Sequence, residues 1–197
     1  MMAAANAHGG SKWLLQYCLT TNVLKKTLIT TFSGGHAYDQ NTFCDGKHYY
    51  LNHGIMHVSD PLTNSWVSYT LSTSHTFGAA LACMPGEAVY VTGQLSNGTG
   101  GKLYRFPIGG SDIELVASGL ALPGQRQAAE YIQASDIVLF GGGQDTTAVY
   151  KVERGGKVTR VADSPLPLLL PDAYAGSLNF SDPSKPHLFS AQRNGYI

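Results

Sequence analysis

Four short β-prone runs, each ending in glycine or a small polar residue, recur along the chain: Tyr49-Tyr50-Leu51-Asn52, Val89-Tyr90-Val91-Thr92-Gly93, Ile137-Val138-Leu139-Phe140-Gly141 and His187-Leu188-Phe189-Ser190. Aligned on Leu51, Val91, Leu139 and Phe189, they step by 40, 48 and 50 residues. A period of that length means one supersecondary unit used repeatedly, and such a unit buries its apolar face only against its neighbours. A second strand-like segment follows each of the first three runs, at 55–58, 102–106 and 148–152, and a third follows at 66–71, 113–117 and 157–162. Small-residue segments at 77–83 and 127–132 precede two of the runs and suit a crowded innermost strand. Short strands at even spacing predict a sandwich, barrel or propeller, and the 40-to-50 period selects an all-β propeller of about four blades, or part of a larger one. The expected division is a flexible lead-in at 1–12, then blades at 13–35, 36–72, 73–122 and 123–165 and a partial one at 166–197.

Turn chemistry agrees with this reading. Asp60-Pro61-Leu62-Thr63-Asn64 has the proline and asparagine of a hairpin turn, and Arg154-Gly155-Gly156 permits positive φ. The segment 165–171 carries three prolines and reads as an extended connection, while 13–30 reads as a strand pair. The predicted core comprises Val89, Val91, Leu139, Phe140 and Phe189, with Tyr104 and Tyr150 packing beside them.

Composition excludes several classes. With 23 Gly, 11 Tyr and only 13 % charged residues, a helical bundle is ruled out. Thirteen basic and thirteen acidic residues leave no surplus of Lys and Arg for phosphate, so no nucleic-acid partner is expected. No apolar run is long enough for a transmembrane helix, and residues 1–11 lack the apolar stretch of a secretory signal. Low charge and abundant Gly, Ser and Thr point to an extracellular or cell-surface location. Asn97-Gly98-Thr99 and Asn179-Phe180-Ser181 are glycosylation sequons, making Asn97 and Asn179 candidate modification sites. Cys18, Cys44 and Cys83 cannot all pair, and Cys44 and Cys83 read as small buried fillers.

Several pieces, in order, resemble the N-terminal half of the propeller domain of glyoxal oxidases and galactose-oxidase-like, kelch-type copper radical enzymes. They are Ser59-Asp60-Pro61-Leu62-Thr63-Asn64, Ser74-His75-Thr76-Phe77, Met84-Pro85-Gly86, Gly124-Gln125-Arg126, the Gly141-Gly142 strand end and Leu169-Leu170-Pro171-Asp172. The resemblance implies copper held by two His and an axial Tyr, with a second Tyr covalently tied to Cys. At the implied crosslink position after Phe77 the chain has Gly78, and at the implied radical position it has Ala128. A second register places the crosslink at Cys44, after Phe43. The expectation is no catalytic residue, no resident cofactor and no metal site, with copper as the alternative through Cys44.

Other motifs fall to simpler readings. His53 and His57 share a strand parity, a hairpin turn separates them, and with His48 they read as partly exposed polar residues. Gly141-Gly142-Gly143 lacks the Lys and Ser of a phosphate loop and reads as a strand-end glycine cluster. Neither an aspartate box with an arginine cluster, as a sialidase needs, nor a Gly-x-Ser-x-Gly elbow is present. The predicted function is therefore a non-catalytic, glyoxal-oxidase-like propeller module in a larger assembly. It would bind a protein partner or its own copies through exposed strand edges. Part of a copper radical oxidase and a carbohydrate-binding lectin are the alternatives. The segment Gly195-Tyr196-Ile197 reads as the third strand of an unfinished blade.

Overall fold

The computed structural model describes residues 2–5, 13–18, 20–28, 41–52, 54–73, 80–92, 101–122, 128–141, 148–163, 173–179 and 187–192. Three consecutive four-stranded antiparallel meanders dominate it. The first runs β4 (Asn41–Cys44), β5 (Lys47–Asn52), β6 (Ile55–Asp60) and β7 (Ser65–Thr70). The second is β8 (Ala80–Met84), β9 (Ala88–Thr92), β10 (Leu103–Pro107) and β11 (Glu114–Ala117). The third is β12 (Ala128–Ile132), β13 (Ile137–Gly141), β14 (Ala148–Glu153) and β15 (Val158–Asp163). Before them stands the three-stranded sheet β1 (Met2–Ala5), β2 (Trp13–Cys18) and β3 (Val23–Leu28); after them come β16 (Ala173–Asn179) and β17 (His187–Gln192). Among the described residues the only helical element is the 3₁₀ turn Gln133–Ser135, so none is long and apolar enough to cross a membrane.

The first strands of successive sheets lie side by side: β4 against β8, β8 against β12, β12 against β16. The described sheets do not close into a ring. The second sheet is buried on both faces, which is why β8 and β9 read as unbroken apolar runs rather than alternating ones. Leu81, Cys83, Val89, Val91, Tyr104 and Phe106 face the first sheet, where Cys44, Tyr49, Leu51 and Met56 meet them. Ala82, Met84, Tyr90 and Leu103 face the third sheet and pack on Val138, Phe140, Tyr150 and Val152. Phe140 and Tyr150 stack with ring centroids 5.7 Å apart. Burial fades outward: β8 is wholly buried, whereas β7 and β11 are largely exposed.

The predicted turn forms as read: the Asp60 carboxylate accepts the amides of Leu62 and Thr63, and Asn64 takes a φ of 56°. The last residue of β13 is Gly141, where any Cβ would collide with the Ala148 carbonyl of the neighbouring strand. The 13–30 strand pair is present as β2 and β3. Met2–Ala5 pairs with β2.

Of the predicted core, Val89, Val91 and Phe140 are fully buried and Tyr104 and Tyr150 nearly so. Leu139 differs: it sits between Glu130 and Lys151 on the opposite face of the third sheet and is only half-buried. The period-2 alternation of a strand sends neighbouring residues to opposite sides, so Leu139 and Phe140 cannot both face the second sheet. The side chain of Phe189 lies outside the described residues. Phe140→Ala is expected to lose about 3–5 kcal/mol of stability, with Leu139→Ala costing clearly less. The pair of denaturant midpoints checks this; a larger loss at Leu139 would overturn the facing assigned to β13.

Candidate functional site: the seams between adjacent sheets

Two different braces hold the second sheet to its neighbours. At the first seam, β4 ends in Cys44 and β8 carries Cys83, and the two sulfurs form a disulfide with Cα atoms 5.3 Å apart. Beside it the Gly86 amide donates to the Asp45 carboxylate at 2.7 Å, and at the other end of the seam the Ser72 amide donates to Asp112 at 2.8 Å. The amides of Ser72 and Ile113 hold the Asp112 carboxyl below its usual pKa range.

The second seam is ionic. Arg154, at the end of β14, makes a two-pronged pair with Asp136, Nε to Oδ2 at 2.7 Å and Nη2 to Oδ1 at 2.6 Å. Its Nη1 donates to the Pro85 carbonyl of the second sheet at 3.1 Å and lies 3.6 Å from Glu87. Glu87, in the β8–β9 turn, accepts the Tyr90 hydroxyl at 2.8 Å and the Gly155 amide at 3.2 Å, and lies 3.6 Å from Arg105. Burial, followed by the hydrogen bond to Glu87, raises the Tyr90 pKa; the Arg154 pair lowers that of Asp136. In a chain with only 13 % charged residues, five of them meeting here marks this seam as a place where alignment is specified. The fifth, Glu114, pairs with Arg105 at 2.8 Å.

The first sheet has an apolar face toward the second sheet and, opposite it, a polar and aromatic face. The register puts Phe43, His48, Ser59 and Trp66 in one row across the sheet, and Asn41, Tyr50, His57 and Ser68 in the next. Near it, Lys25 of β3 donates to Asn64 at 3.0 Å. His48 and His57 are 1 % and 0 % exposed, correcting the expectation of partly exposed residues. Both rings stand on the central strands of the sheet, His48 between Phe43 and Ser59 in its row and His57 between Tyr50 and Ser68 in the next. Asn41 Oδ1 lies 3.3 Å from His48 Nε2, and because an amide oxygen only accepts, Nε2 carries the proton of the neutral ring. His48 Nδ1 and the facing Ser59 hydroxyl have no hydrogen-bond partner among the described residues. A second proton on the ring would be buried, and desolvation holds the His48 pKa down to about 4. A hydrogen bond of 2.8 Å joins His57 Nδ1 to Ser68 Oγ, and the His57 ring lies 5.5 Å from Trp66.

The remaining candidates scatter. Ala128 begins β12 opposite Gly141, and Asn179 ends β16 opposite His187. Gly78, Asn97, His53, Gly142 and Gly143 lie outside the described residues. Cys44, the alternative crosslink position, has its sulfur committed to Cys83; the two are buried, and they are joined rather than separate fillers. Among the described residues no three of His, Cys, Asp and Glu come together as a metal-ligating group. The disulfide had a legible signal: Cys44 and Cys83 are 39 residues apart, one repeat, and each precedes a glycine turn. Equivalent first-strand positions of neighbouring repeats are adjacent in space.

No family model and no curated protein matches the chain. Among solved structures it is similar to PorZ, a surface component of the type-IX secretion system of Porphyromonas gingivalis, at 13 % identity and a TM-score of 0.46. That likeness covers 78 % of this chain and 20 % of PorZ. It is also similar to U3-55K, at 11 % identity and a TM-score of 0.49, over 84 % of this chain and 51 % of that one. The chain thus spans about a fifth of the first and half of the second. At these scores neither likeness decides fold or function.

Removing the disulfide with Cys44→Ser and Cys83→Ser should cost about 3–4 kcal/mol, because it frees a long loop in the unfolded chain. Both cysteines should also resist alkylation until reductant is added, and ready labelling of native protein without reductant would contradict the pairing. For His48 the folded pKa of about 4 lies below the ordinary 6.5, so the unfolded state binds the proton more readily. Stability is then complete above pH 6.5 and falls as pH drops toward 4, by up to about 3 kcal/mol. Denaturation midpoints from pH 7.5 to 4 should show a shallower slope in His48→Phe than in the parent; equal slopes would refute the assignment.

Proposed function

We propose that the chain is a run of β-propeller blades that serves as a non-catalytic binding or structural module, making its contacts through the outer strands of its sheets. One observation carries the reading: a four-stranded meander buried on both faces between two meanders of the same kind, first strand beside first strand. Radial stacking of like units in a propeller has this character. Its kinship with glyoxal-oxidase-like propellers rests on the sequence motifs. An extracellular or cell-surface location is supported by the Cys44–Cys83 disulfide, since such bonds persist in oxidising compartments.

The residues present do not fit the copper radical centre that the resemblance implies. Ala128 offers no phenol, and the Cys44 sulfur is bonded to Cys83. We therefore derive no redox step. The test is to supply copper to the purified protein and measure hydrogen peroxide with small aldehydes and primary alcohols, alongside binding to a glycan array. No peroxide and no glycan signal are expected. Sustained turnover would establish the oxidase reading instead, and saturable glycan binding would establish the lectin reading.

A further inference from the structure

The outermost strands of the three meanders, β7, β11 and β15, are not alike. Proteins blunt such edges with charges, prolines and bulges. The ladder joining β11 to β10 is broken by a register shift at Leu103/Tyr104, and β11 carries Glu114. The ladder joining β15 to β14 is broken at Val149/Tyr150, and β15 carries Arg160 and Asp163. The β6–β7 ladder instead runs through six consecutive pairs without a shift, from Ile55↔Thr70 to Asp60↔Ser65. The β7 sequence Ser-Trp-Val-Ser-Tyr-Thr holds no charge, no proline and no glycine, and is rich in residues that favour strands. Ser65, Val67, Ser68 and Thr70 are exposed, Val67 at 47 %.

We propose that β7 is a pairing edge and that its occupant is β7 of a second copy of this chain, in antiparallel register. The argument for a second copy is complementarity. A strand added to this edge pairs best when it is regular, rich in strand-favouring residues and free of charges that would meet no opposite charge across the ladder. β7 itself meets both conditions. A two-fold axis centred on Val67 sets that residue against its own copy, Trp66 against Ser68 and Ser65 against Tyr69, with no like charges opposed. Each opposed pair shares a face, as antiparallel pairing requires, and the exposed Val67 side chains become neighbours. The proposal rests on the module reading and names the partner of one of its edges.

Light scattering and sedimentation of the full chain across a wide concentration range test it, with Val67→Lys as the edge variant and Leu115→Lys, on β11, as the control. The expected result is a dimer in the parent and the control, with Val67→Lys raising the apparent dissociation constant at least about tenfold. A dimer that Val67→Lys leaves intact overturns the β7 assignment. A parent that stays monomeric at every concentration overturns self-pairing, while the module reading stands or falls separately on the peroxide assay. Should Val67→Lys not fold, amide exchange of the parent decides: slowing with concentration confined to residues 65–70 supports the pairing, and concentration-independent exchange there overturns it.

Discussion

Face-to-face burial of the second sheet is the constraint on which the rest of the structure depends. A single four-stranded meander has two faces and no helix to cover either, so it gains a core only when another sheet packs on each side. β8 and β9 answer this with side chains that are apolar on both parities, Leu81 and Cys83 toward one neighbour, Ala82 and Met84 toward the other. The alanines matter as much as the larger groups. They let first strands approach one another, and the larger Tyr90, Phe106 and Phe140 fill the space where the sheets diverge.

Apolar contact sets the distance between sheets but is indifferent to small slides of one over another. The two seams supply direction by different chemistry. A disulfide fixes the ends of β4 and β8 with a covalent bond close to the innermost strands. Between the second and third sheets, Arg154 spans the gap by reaching both the Pro85 carbonyl and Asp136, and Glu87 ties the β8–β9 turn to Tyr90, Gly155 and Arg105. Each exposed pair alone contributes little. Joined in a network around the partly buried Glu87, they favour one relative placement over its neighbours.

Strand positions were legible because they depend on local signals. The turn at Asp60–Asn64, the small-residue approach to β8 and β12 and the β2–β3 pair all follow from propensity and turn chemistry, which act within a few residues. Facing was less legible. Leu139 and Phe140 are adjacent and equally apolar, and only the packing of the third sheet against the second decides that Phe140 goes inward. The histidines were misread for a related reason. Their neighbours in sequence are mixed, so nothing local says that His48 and His57 are buried. The seams were missed because their partners are distant in sequence, Glu87 and Gly155 being 68 residues apart.

The repeat nonetheless organises part of these seams, and it turns some remote pairs into expected ones. Cys44 and Cys83 occupy corresponding ends of first strands, and Glu87 and Asp136 occupy corresponding links between first and second strands. In a stack of like units, corresponding positions of adjacent units face each other at the spacing of the sheets. A complementary pair of side chains at such positions therefore meets without any further specification in the intervening chain. Two thiols one repeat apart become a disulfide, and the two carboxylates at corresponding links, Glu87 and Asp136, come close enough for Arg154 to reach both. The same logic bears on the edges. A unit inside the stack meets its neighbours on its faces, so its outer strand is shielded by neither. What it carries there is set by its own sequence: bulge and charge on β11 and β15, an unbroken neutral row on β7.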